Sequence, residues 1–183
     1  MFRRKRRNNN SNSRVYFNEP DTYSTQEHFL SLIVRVRNEP YMEEFCNWWF
    51  YQGVDHIYII DDNIGTEYTF PDSIVDNDNI TISEAKHDMA TEIQKGDAQT
   101  RDYEDIYNLY RRRSEWWAIM DADEYIVPGT NKDHNTLVEW LHSNSDRDCL
   151  IIPWVMIGPV QRENPSRLLT TNNKVGLHID EYY

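Results

Sequence analysis

Residues 28–62, HFLSLIVRVRNEPYMEEFCNWWFYQGVDHIYIIDD, carry the pattern that decides the fold. His28 to Arg37 begins as a continuous apolar run and ends in the alternating arginines Arg35 and Arg37, which fits a central strand emerging at the edge of a sheet. Asn38, Glu39 and Pro40 stop it. Pro40 then opens an amphipathic segment with Met42, Phe45, Trp48 and Trp49 at helical spacing, closed by Gly53 as a C-terminal cap. From Asp55 to Asp62 a second run, β-branched and aromatic through Ile60, ends in the acids Asp61 and Asp62. Strand, helix and strand in this order form a βαβ unit, which implies parallel strands and a right-handed crossover.

Outward from this unit the alternation continues. Residues 63–78 are rich in turn formers and read as a loop with room for one helical turn, and Ile80 to Ser83 is a short third strand. Between Asp97 and Ser114, Tyr103, Ile106, Tyr107, Leu109 and Tyr110 recur at helical spacing, and this helix leads directly into residues 116–128, WWAIMDADEYIVP. A further helix is expected from Asp133 to Asn144, with Leu137, Val138, Trp140 and Leu141 apolar, then a strand from Cys149 to Ile157 and a last one from Lys174 to Ile179. No internal repeat is present. The order predicts a single α/β domain, a three-layer sandwich.

The stretch 116–128 is also where chemistry is concentrated. An apolar run ends abruptly in Asp121, Asp123 and Glu124, and in extended backbone side chains two apart share a face. Two carboxylates at the end of an apolar strand are poorly explained by packing, because a buried charge is costly unless paired. A divalent cation removes that difficulty; a strand that runs out into a solvated acidic turn is the alternative. The apolar triplet Tyr125 to Val127, closed by Pro128 and Gly129, is expected to be another short strand, leaving the acids in a crevice. Hard oxygen ligands in small number suit Mg²⁺ or Mn²⁺; zinc would call for closely spaced His and Cys, which the chain lacks.

Composition narrows the classes. At 183 residues one domain is the default, expected over residues 26–183, with residues 1–25 a disordered basic and Asn/Ser-rich tail. The tail holds the block Arg3 to Arg7, which suits an import-like signal, a phosphate-binding arm, a juxtamembrane patch or a merely solvated segment. A formal net charge of −12 argues against a nucleic-acid partner, since phosphate contacts need a basic face. The longest apolar run, Cys149 to Val160, is broken by Pro153 and Pro159, so no integral membrane span is expected, and the basic start is not followed by the apolar core of a secretory signal. With two cysteines, Cys46 and Cys149, both in apolar contexts and read as buried thiols, a soluble cytoplasmic protein is the expectation. The glycosylation pattern at Asn79 to Thr81 then reads as chance.

Four motifs in fixed order carry a resemblance. Arg37-Asn38-Glu39 ends the first strand, and Gly53-Val54 through His56, Ile59 and Asp61 forms the second. Gln99 and Tyr103 lie on the helix, and Trp116 precedes the Asp121-Ala122-Asp123-Glu124 corner. Across residues 30–160 this resembles the glycosyltransferases of family 92 and their family 2 relatives, and is similar to small glycosyltransferase domains of large algal viruses. The resemblance implies a GT-A fold, a Rossmann-like half that binds a nucleotide-diphosphate sugar, with UDP as the expected nucleotide and a saccharide or glycoprotein as acceptor. It implies Mn²⁺ or Mg²⁺ held by Asp121 and Asp123, with Asp123 favoured as a direct ligand. Arg37, Asn38 and Glu39 would begin the nucleotide pocket, and Asp61 would meet the nucleobase or ribose.

Several residues carry two readings. Arg35 and Arg37 neutralise phosphate or pair with Glu39, the phosphate role being favoured for Arg37. Gln99 and Tyr103 line the donor pocket or pack their helix on the sheet. Trp154, near Gly158 on the acceptor side, stacks on a sugar or fills the core. His178 is a third metal ligand, as late histidines are in many GT-A enzymes, or a structural residue. Glu124 and Glu163 are the candidates for the general base of an inverting transfer. Relatives usually continue beyond the position of His178 with more acceptor-site sequence. The rival classes are a haloacid-dehalogenase-like phosphohydrolase, whose D-x-D also ends an apolar strand, and a non-catalytic nucleotide- or carbohydrate-binding domain.

Overall fold

The computed structural model describes residues 2–3, 26–87, 95–127, 135–150, 152, 156–158 and 175–177. Seven strands and four helices follow one another in these segments: β1 (Phe2–Arg3), β2 (His28–Val36), α1 (Met42–Tyr51), β3 (His56–Asp61), α2 (Asp72–Val75), β4 (Ile80–Glu84), α3 (Lys95–Tyr110), β5 (Ser114–Asp121), α4 (Leu137–Ser143), β6 (Met156–Gly158) and β7 (Val175–Leu177). The main sheet runs β1-β5-β2-β3-β4. The three pairings among β5, β2, β3 and β4 are parallel, and β1, at the start of the chain, lies antiparallel on the β5 edge with Phe2 opposite Trp117.

The chain builds outward from β2 in one direction through β3 and β4, then returns to place β5 on the other side of β2. The reversal falls between β2 and β5, and their carboxyl ends are where an open α/β sheet leaves a crevice for ligands. Arg35 is the register partner of Asp121 there, and Val36 is the partner of Asp61.

Alternation along β2 explains the layers. Leu30, Leu32, Val34 and Val36 face one side, where they are buried with Met42, Phe45 and Trp49 of α1 and with Leu137 and Leu141 of α4. Ile33 faces the other side with Tyr58, Ile60 and Trp117, under Ile106 of α3. Helices on both faces bury the sheet twice over, and so its strands are apolar runs instead of simple alternations. Each of these large side chains contributes on the order of 1.5–3 kcal/mol by leaving water.

The helices end where the sequence signals. Gln52 caps α1, and Gly53 follows at φ 92, a left-handed backbone that glycine adopts without a Cβ penalty. At the start of α4, Thr136 accepts from Glu139 N–H and the Glu139 carboxylate accepts in return, a reciprocal capping box. The two ends are joined, because Gln52 Oε1 accepts from Leu137 N–H at 2.9 Å.

Four expectations are corrected. Tyr125 to Val127 is not a strand: the chain crosses α1, Ile126 C=O accepts from Trp48 Nε1, and Tyr125 stands edge-on to Phe45 and Trp48. The helix expected from residue 133 begins at Leu137, because Thr136 is extended and caps it. Within the expected strand from Cys149 to Ile157, Leu150 and Ile152 are not in strand, and Met156–Gly158 pairs antiparallel with Val175–Leu177 as a two-stranded sheet separate from the main one. Cys46 is buried as expected, with its thiol pushed up to about 12 by desolvation, but Cys149 is exposed. Among the described residues no helix is long and apolar enough to cross a membrane.

Candidate metal and nucleotide site

The acidic corner sits at the carboxyl end of β5. The strand stops at Asp121, and the next residues form a turn closed by Glu124 N–H donating to Asp121 C=O at 3.0 Å. The Glu124 carboxylate folds back to accept from Asp121 N–H at 3.1 Å, so it helps to close the turn. The strand ends two residues before Asp123, which belongs to the turn and does not share the strand face of Asp121. Both aspartates are exposed.

Each aspartate has its own surroundings. Asp121 is on the α3 side, where its Oδ1 accepts from Gln99 Nε2 at 2.9 Å and from Tyr103 O–H at 3.4 Å, while Gln99 also donates to the Tyr103 hydroxyl at 2.8 Å. Both helix residues predicted for the pocket thus reach the acidic corner. The phenol of Tyr103 is pushed up to about 12, chiefly by burial, so it stays protonated and able to donate at neutral pH. Asp123 is on the other flank, close enough to Glu39 for its charge to raise the Glu39 carboxyl, which burial raises more strongly and Tyr41 N–H lowers. Tyr125 and Tyr68 border the same acids, and their phenols are raised by burial first and by nearby carboxylates second.

The end of β2 is shaped by the end of β3. Asn38 has φ 53, left-handed backbone that Asn tolerates better than most residues. Its N–H donates to Asn63 Oδ1 at 2.7 Å, and Asn63 in turn donates to Asp61 Oδ1 from its backbone at 3.0 Å and from its side chain at 2.6 Å. Asp61 thus holds Asn63, which holds the strained residue of the Arg-Asn-Glu motif.

Arg35 and Arg37 do not use Glu39 as their acid. Arg35 is buried, with Nη1 on Asp102 of α3 and Nη2 at 3.2 Å from Asp62, and it also donates to His87 C=O at 2.9 Å. Arg37 is exposed and 3.5 Å from the same Asp62 carboxylate. Asp102 completes the network by accepting from Lys86 N–H at 3.0 Å and His87 N–H at 3.3 Å. The structure thus brings Arg37, Asn38, Glu39, Asp61, Gln99, Tyr103, Asp121, Asp123 and Glu124 to one edge of the sheet. Glu163, His178 and Trp154 lie outside the described residues.

Comparison of the chain with protein-family models, with characterised proteins and with solved structures gives no match.

The donor set fits a hard divalent cation of limited protein coordination. Among the described residues no three His, Cys, Asp or Glu side chains converge into a closed cage. Mg²⁺ or Mn²⁺ that shares its coordination with phosphate and water needs only one or two carboxylates, and Asp121 and Asp123 supply two. Sequence reasoning missed Asn63, Asp62 and Asp102 as organising residues. For Asp102 a signal existed: an acid stands between Ala98 and Ile106 in the apolar stripe of α3, matching the lone Arg35 in the apolar run of β2.

Proposed function

We propose that this chain is a metal-dependent glycosyltransferase of the GT-A type, transferring a sugar from a nucleotide-diphosphate donor, with UDP as the nucleotide, to a saccharide or glycoprotein acceptor. The observation that carries this reading is the position of the acidic corner at the reversal point between β2 and β5, beside the Arg-Asn-Glu end of β2. Asp121 and Asp123 are the residues to hold Mn²⁺ or Mg²⁺. When bound, such an ion supplies positive charge for the nucleoside diphosphate that leaves when the sugar–phosphate bond breaks.

The remaining work falls to the chain itself. Gln99 and Tyr103 orient Asp121, the Glu124 carboxylate closes the turn that presents Asp123, and Arg37 lies exposed at the mouth, where it can meet phosphate oxygens. Asp61 and Asn63 fix the backbone at Asn38, giving the nucleotide a preorganised edge. Because the Glu124 carboxylate is engaged in the turn, Glu163 is the residue proposed to accept the acceptor hydroxyl's proton.

The test is UDP release from a panel of UDP-sugars with Mn²⁺. Turnover by the wild type that falls at least about a hundredfold in Asp123→Asn is expected, since a metal contributes several kcal/mol to such a step. Phosphomonoester hydrolysis without sugar-nucleotide turnover would instead make the protein a phosphohydrolase.

A further inference from the structure

Arg35 and Asp121 are register partners on adjacent parallel strands, which lie about 4.8 Å apart, and both side chains fall on the α3 side of the sheet. An arginine and an aspartate so placed would ordinarily pair with each other. Here they do not. The Arg35 guanidinium turns to Asp102, Asp62 and the His87 carbonyl, and Asp121 is held by an amide and a phenol, both neutral. One turn of α3 supplies Asp102 to Arg35 and both neutral donors to Asp121, since Gln99, Asp102 and Tyr103 are three and four residues apart and share a helix face.

The consequence is electrostatic. Neutral donors orient a carboxylate without cancelling its charge, whereas a guanidinium would do both and compete with any cation for the same oxygens. We propose that Asp102 is a positioning residue that diverts Arg35 away from Asp121, so that Gln99 and Tyr103 can aim Asp121 while leaving its charge available to a divalent ion. This rests on Asp121 being a cation ligand, and it adds the role of a residue remote from the ion. A merely structural ion pair between β2 and α3 would have no effect on cation affinity beyond its effect on folding.

The test uses the full chain and reads Mn²⁺ binding in the presence of UDP, from the electron paramagnetic resonance of free Mn²⁺, alongside the melting temperature of each protein without either ligand. Asp102→Asn releases Arg35 toward Asp121 and is expected to raise half-saturating Mn²⁺ at least about tenfold, the usual scale for loss of an outer-shell partner. The double variant Arg35→Leu/Asp102→Leu removes the competing cation together with its partner, and is expected to restore Mn²⁺ binding to within about threefold of wild type. Should Asp102→Asn fail to fold, the double variant decides alone, because a tenfold loss there contradicts the diversion of Arg35. Unchanged Mn²⁺ binding in a folded Asp102→Asn, with normal binding by the wild type, would overturn this inference and leave the functional reading intact. No Mn²⁺ binding by the wild type with UDP would overturn both.

Discussion

Asn38 stands where β2 leaves the sheet, and its φ of 53 makes its backbone sensitive to identity. A Cβ in left-handed backbone costs roughly 1–2 kcal/mol for an ordinary residue and nothing for glycine. Asn38→Ala is therefore expected to lose about 1 kcal/mol of stability in urea, with Asn38→Gly within a few tenths of wild type. Equal losses in the two would refute the left-handed assignment. At the opposite end of the strands, His56 is buried, bonded to Thr81 Oγ1 at 2.8 Å and stacked on His28. Burial, followed by the neighbouring charges of His28 and Arg113, lowers its imidazole from 6.5 to about 4. Between those values the unfolded chain binds a proton that the folded one refuses. His56 therefore subtracts stability as pH falls from 6.5 toward 4, by roughly 2–3 kcal/mol over the window. Glu39, whose carboxyl is raised, acts in the opposite sense, so the difference between wild type and His56→Gln isolates the histidine. Urea unfolding at pH 7 and pH 4.5 is expected to show a smaller drop in the variant; an equal drop would mean that His56 is not buried uncharged.

At the scale of elements, the junction between α1 and α4 leaves little room for change. A Cβ on Gly53 would lie 2.6 Å from Val138 Cγ2, on a backbone already at φ 92. Gly53→Ala is expected to cost about 2 kcal/mol or more, and adding Val138→Ala to recover only the steric part. Chemical denaturation of the single and double variants separates the two contributions, and no recovery would mean that the contact is not what limits the site. The junction was legible in advance on one side only, since Gly53 after an amphipathic run announces a helix end but nothing in the sequence says which side chain will press on it. β2 and β3 could be read because β-branched runs bounded by polar residues have few other uses. Tyr125 to Val127 misled for the same reason, since three apolar residues say that a segment is covered and not whether its backbone pairs. Asp121 lies at the end of an apolar strand as expected, but Asp123 does not share its face, because alternation holds only while the strand lasts. The Arg35–Asp102 pair is legible in neither element alone, because the information lies in the combination of a lone arginine in the apolar run of β2 with an acid in the apolar stripe of α3.

For the whole molecule the decisive quantity is the sign of the charge around the crevice. Asp61, Glu39, Asp121 and Asp123 border it in a chain of formal net charge −12, with Arg37 the exposed cation nearby and already sharing Asp62. A nucleoside diphosphate approaching this edge is repelled unless a cation arrives with it. Neither UDP nor Mn²⁺ alone should therefore stabilise the fold much, while the two together should. A ligand that binds only the native state at a hundred times its dissociation constant adds about 2.7 kcal/mol. In a domain of this size each kcal/mol moves the melting temperature by about 2–4 °C, so the joint shift should be roughly 5–10 °C. Asp121→Asn and Asp123→Asn should each remove most of it without lowering the unliganded melting temperature, because both side chains are exposed. A shift with UDP alone as large as with UDP and Mn²⁺ would mean that the carboxylates do not act through a bridging ion, and the fold would then have to bind nucleotide against its own charge.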